Sequence, residues 1–125
     1  MNRIEFSHNW NGKLFLDTFG TVRMSNGEKY FVGNEMEAYL KNLYLGIVKV
    51  AAVRTFQFRQ TRDVLAFLDT GKPAHYMASI LNRMYGNLSP DQPLDHVVLT
   101  YVKRDIETQT SLITEWWQSK KQTAA

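Results

Sequence analysis

Leu45-Gly46-Ile47-Val48-Lys49-Val50-Ala51-Ala52-Val53 is apolar at every position but Lys49. It belongs to the longest extended stretch of the chain, Leu43 to Arg59. The first part reads as a strand buried on both sides. The second part alternates, with Phe56 and Phe58 on one face and Thr55, Gln57 and Arg59 on the other. A bulge or bend near Ala51-Ala52 accounts for the change of pattern.

Working outward from this strand, residues 3–7 alternate and predict a short strand. Asn9 to Lys13 reads as a turn, followed by an amphipathic Leu14-Phe15-Leu16. Phe19 to Met24 predicts a second strand, closed by the turn signal Ser25-Asn26-Gly27. Residues 29–32 and 36–41 read as extended, split by Gly33-Asn34. Downstream, Thr61 is an N-cap with Asp63 in the first turn, and Val64, Leu65 and Leu68 make an apolar stripe that ends at Gly71. Pro73 starts a second helix, in which Ala74, Met77, Ala78, Leu81, Met84 and Tyr85 keep helical spacing as far as Gly86. Leu94 to Lys103 alternates and is rich in β-branched residues, so it predicts a strand. Glu107 to Lys121 predicts a helix with Leu112, Ile113, Trp116 and Trp117 on one side, and residues 122–125 are expected to fray. The order predicts an α+β fold: a mostly antiparallel curved sheet or barrel with the helical pair covering one end.

The chain has 125 residues, which is one domain's worth. Three Trp, six Tyr and seven Phe supply bulk for a core. The absence of cysteine excludes disulfides, thiolate metal sites and a cysteine nucleophile, and fits a reducing, cytoplasmic compartment. No signal-like apolar region opens the sequence, and no stretch approaches the ~20 apolar residues of a membrane span. The net charge of +3 and a pI near 9.2 permit an anionic partner without demanding one.

The histidines, His8, His75 and His96, show no ligand spacing, so no metal is expected. Phosphate-loop, dinucleotide-fold and serine-hydrolase glycine motifs are missing, so no cofactor is expected. Thr21 and Arg23 are two apart on a strand and share a face. A hydroxyl beside a guanidinium suits a phosphate or a base edge; the plainer reading is a solvated strand face with Arg23 paired to a carboxylate. Asp69 stands at a helix C-terminus, where the dipole disfavours an acid. It either bonds local backbone or pairs with Arg23 or Lys13. Lys29-Tyr30-Phe31, Arg54-Phe56-Phe58-Arg59 and Tyr101-Lys103-Arg104 interleave cations with rings, as single-stranded nucleic acid sites do and as ordinary half-buried strands also do. Trp116-Trp117 reads as a cap on apolar surface or as a homodimer contact.

Trp10-x-x-Lys13-Leu14 followed by Phe19-Gly20-Thr21-Val22-Arg23 resembles the opening of ASCH domains, members of the PUA-like superfamily. Lys29 to Gly33, Leu45 to Val50, Asp63 to Gly71, His75 to Gly86 and Val97 to Lys103 are similar, in order, to that family's later elements. The resemblance spans about residues 4–104, which makes 1–104 the domain and 105–125 a helical extension. It implies a small PUA-like curved β-barrel with a helical pair beside a cleft. Thr21 and Arg23 would line that cleft, with Lys13 and Asp69 near it; in our nucleic-acid-binding reading Tyr30 stacks on the ligand. It further implies binding of RNA or of a nucleotide or nucleoside. Some relatives are instead amidohydrolases of acetylated cytidine that use a lysine, a threonine and a glutamate. The lysine there precedes the threonine by three residues. Thr18 occupies that place in this sequence, so Lys13 would serve from a longer loop, Thr21 would be the threonine and Asp69 the acid. A third reading makes the Trp116-Trp117 helix an interaction surface.

Overall fold

The computed structural model describes residues 1–60, 86 and 88–123, and leaves out the side chains of residues 10, 11 and 120–123. Strands β1 (Asn2–Phe6), β2 (Thr18–Met24), β3 (Glu35–Leu40), β4 (Leu43–Gln57) and β5 (Pro93–Arg104) form one sheet in the order β1-β3-β4-β5-β2. β1 pairs with β3 in parallel and every other pairing is antiparallel. One helix, α1 (Ile106–Thr123), follows. The architecture is an α+β curled half-barrel. The two predicted helices between Thr61 and Gly86 lie outside the described residues.

The long central strand explains the curl. Its ladder with β5 shifts register twice, at Ile47/Val48 and at Val50/Ala52, the second where a bulge was expected. Each shift bends the strand and adds right-handed twist. Two-sided burial of Leu45–Val53 does not occur. Leu45, Val48 and Val50 are buried, while Lys49, Ala51 and Ala52 are exposed. The apolar run is a bent strand with one covered face. At the first shift Gly46 has φ +140, and a Cβ there would lie 2.1 Å from the Lys103 carbonyl oxygen.

Curling brings the two outermost strands together. Phe6 of β1 and Phe19 of β2 meet edge-on, with ring centroids 5.8 Å apart. Both belong to the main core with Ile4, Leu14, Met36, Leu45, Val48, Val50, Val97 and Leu99. Burying each ring contributes about 1.5–3 kcal/mol, and the edge-on pairing adds about 0.5–1.5. A smaller cluster, Val22 and Leu94 with Met24, Phe56, Phe58 and Leu88, covers the opposite face of β2. β2 is therefore packed on both sides.

Two segments differ from expectation. Residues 29–32 form a turn, not a strand. The Asn26 carbonyl accepts from the Lys29 and Tyr30 amides at 3.1 and 2.8 Å, and the Asn34 side chain donates to the Lys29 carbonyl at 2.6 Å. Residues 9–13, expected as a turn, enter a 3-10 helix, Trp10–Phe15. Asn9 Oδ1 accepts from the Leu14 amide, inside that helix, at 2.9 Å. The β3–β4 connection is a two-residue hairpin in which Lys41 and Asn42 both have positive φ.

The end of the sheet is tied down by β5 and α1. Tyr101 donates its hydroxyl to the Leu14 carbonyl at 2.8 Å, and Arg104 donates to the Phe15 carbonyl and to Gln109. Gln109 donates in turn to the Leu45 carbonyl. Leu112 packs on the core, and Trp116 packs against Phe15 and over Gly12. Among the described residues no helix is long and apolar enough to cross a membrane.

Gly46→Ala is expected to lower unfolding free energy by about 2–4 kcal/mol, from the clash with β5 and the strained φ together. Urea denaturation measures it; a loss no larger than that of an ordinary exposed-strand substitution would contradict the assigned geometry.

Candidate functional site

β2 presents Phe19, Thr21 and Arg23 to the inner side of the curl. Phe19 is core, Thr21 is 4% exposed, and Arg23 reaches the seam between β2 and β1. Arg23 Nε donates to Thr21 Oγ1 at 3.2 Å, and its guanidinium lies over the Phe6 ring, 4.6 Å from the centroid. The expected hydroxyl–guanidinium pair is thus in contact and held against the seam.

Beside it opens a cleft of about 340 Å3, lined by Arg3 and Glu5 of β1, Arg23 and Met24 of β2, and Ser25, Asn26, Lys29 and Tyr30 of the following loop. Its charge is mostly positive. Arg3 pairs with Glu5 at 3.3 Å. Among the described residues neither Arg23 nor Lys29 forms an ion pair. Lys29 holds its proton less tightly than an ordinary lysine, chiefly because it has lost solvent and then because Arg23 is near; Glu5 opposes the shift. Two cations therefore share a partly desolvated space, which favours an anion between them.

The loop that carries Lys29 and Tyr30 is anchored by a residue the sequence did not single out. Asp95, 2% exposed, lies opposite Arg23 on β5 and opposite Thr55 on β4. Its carboxylate accepts from Thr55 Oγ1 at 2.7 Å, Ser25 Oγ at 3.0 Å and the Asn26 amide at 3.1 Å. A buried carboxylate persists when its lone pairs are filled in this way. The Asp95 anchor fixes where β2 ends and where the Asn26 turn begins.

Of the other expected site residues, Lys13 is 7% exposed and delivers its ammonium to the Gly20 carbonyl at 2.8 Å, one residue from Thr21. Tyr30 lines the cleft but is 8% exposed and belongs to the core, so most of its ring is wall. Asp69 lies outside the described residues. In α1, Trp116 is half-buried and Trp117 is 55% exposed. Among the described residues no group of three or more His, Asp or Glu is placed to hold a metal ion.

The fold and site define a small α+β half-barrel with a basic cleft at the seam of its sheet. Among solved structures, the crystal structure of protein EF3133 from Enterococcus faecalis V583, family-model DUF984, is similar to this chain. The TM-score is 0.60 at 12% identity, over 83% of this chain and 82% of that one. At that identity the likeness speaks for the fold alone. No family model matches the chain, and no curated protein does.

Asp95→Ala is expected to cost about 2–4 kcal/mol of stability, because three donors lose a charged acceptor. Hydrogen exchange of the Asn26 amide should quicken beyond what that global loss explains; unchanged relative protection there would contradict the anchoring role.

Proposed function

We propose that this domain is an ASCH-like, PUA-like nucleic-acid-binding module that holds a nucleotide of single-stranded RNA in the seam cleft. The observation that carries the reading is the Arg23–Lys29 pair, two cations facing one partly desolvated cleft with no ion pair of their own among the described residues. Phosphate is the anion such a pair fits best, with Arg23 offering a planar donor fork and Lys29 a point charge. The order of motifs that resembles ASCH domains, and a pI near 9.2, support the same reading.

Binding of short single-stranded RNA, followed by fluorescence anisotropy, should weaken linearly in log salt. Arg23→Gln and Lys29→Gln should each reduce the slope by about 0.7, the value of one lost phosphate contact on a single strand. Affinity should also fall as pH rises through the lowered Lys29 pKa toward 10.5, because the cation is lost there. Lys29→Arg, charged throughout, should make that fall shallower. No binding to any RNA or DNA at low salt would overturn the reading.

A second reading, hydrolysis of an acylated nucleoside, has one observation in its favour: the buried Lys13 ammonium sits one residue from Thr21. In it Lys13 would act as base or activate Thr21, and Asp69 would shuttle the proton. Turnover of acylated nucleosides by wild type, abolished in Thr21→Ala, would favour it; equal rates in the two would exclude it.

A further inference from the structure

A cluster of three planar groups on the outer face of the sheet ends at the cleft. Tyr39 and Tyr44 are paired across the β3–β4 hairpin, with ring centroids 5.5 Å apart and planes inclined at 56°. The Tyr39 hydroxyl donates to Glu37 Oε2 at 2.8 Å, which fixes its ring. Parallel pairing of β1 with β3 brings Arg3 alongside, and its guanidinium lies over the Tyr39 ring, 3.7 Å from the centroid. Arg3 also lines the cleft, and half of its side chain is exposed. Tyr39 takes one guanidinium face, and the exposed half of the side chain is what a ligand in the cleft would meet.

The charges of the cleft divide its labour. Glu5, 3.3 Å from Arg3, offsets that cation. Glu5 also acts on Lys29, but among the described residues neither Arg23 nor Lys29 forms an ion pair. Phosphate is therefore drawn to Arg23 and Lys29, while the Arg3 position suits a neutral planar group. Guanidinium planes stack nucleobases as aromatic rings do, and Arg3 already contacts Tyr39 and Glu5, which lowers the side-chain entropy it would lose on binding.

We propose that Arg3, backed by Tyr39 and Tyr44, is the base-stacking ledge of the cleft: one base of a single strand lies on its guanidinium while the adjoining phosphate sits between Arg23 and Lys29. This rests on the nucleic-acid reading and adds the residue that senses the base. Duplex bases are already stacked on each other, so the ledge selects single strands.

The test compares a short single-stranded RNA with an abasic oligonucleotide of the same length, at low salt, on wild type, Arg3→Lys and Tyr39→Leu. Arg3→Lys keeps the charge and loses the plane. It should weaken the RNA about tenfold and shift the abasic strand by less than about twofold. Tyr39→Leu, which removes the backing, should lower RNA affinity with the same selectivity, and thermal unfolding of both variants confirms that they fold. Equal losses on the two strands, or no loss on either, would overturn the ledge while leaving the phosphate site standing. Failure of wild type to bind either strand would overturn both.

Discussion

Phe6 and Phe19 sit on the two outermost strands of a five-stranded sheet, yet their rings meet at 5.8 Å. β4 shifts register twice along its ladder with β5, and the β3–β4 ladder shifts once more, which helps to carry the sheet around to that contact. The two rings are the apolar closure of the curl. Arg23 over Phe6 adds about 0.5–1 kcal/mol at such a partly exposed position, less than burial of either ring, so the aromatic pair holds the seam and the guanidinium rides on it. A polar side chain supported in that way is positioned by the core without being consumed by it. This is the condition for a binding residue to be both rigid and available.

The cleft follows from what surrounds that closure. On one side β1 supplies Arg3 and Glu5; on the other, the turn after β2 supplies Lys29 and Tyr30. The second wall depends on Asp95, whose three accepted hydrogen bonds pin Ser25 and Asn26 to β4 and β5. The buried carboxylate faces inward, so the loop it anchors can present cations outward. Tyr101, whose phenol burial pushes up to about 12, ties the opposite end of β5 to the 3-10 helix that carries Lys13. Its hydroxyl stays protonated, and its bond to Leu14 intact, throughout the neutral range. That tether is present below pH 10 and is lost as pH rises from 10 toward 12.

Much of this was legible in local pattern. The change from a continuous apolar run to alternation located the Val50/Ala52 bulge, and the spacing of Thr21 and Arg23 put them on one face. What was missed depends on residues far apart in sequence. Asp95 lies in an unremarkable alternating strand, and its partners are 40 and about 70 residues away. The Arg3–Tyr39 stack needs a parallel pairing that no local signal announces. Residues 29–32 carry β-prone side chains, but the Asn26 carbonyl folds them into a turn. Lys41 at positive φ is an uncommon hairpin residue, so the β3–β4 turn left no mark. The two-sided burial expected of Leu45–Val53 failed because an apolar run can also mark a bent strand that covers one face.

The most direct measurement is the pattern of backbone amide shifts in a 1H–15N spectrum as short single-stranded RNA is added at low salt. The account predicts that the largest changes fall on both sides of the seam, at Arg3 and Glu5 of β1 and at Arg23 of β2 and Asn26 and Lys29 of the turn that follows it, and that added salt reverses them together. Changes confined to α1, or spread evenly over the basic surface with the seam unmoved, would contradict it.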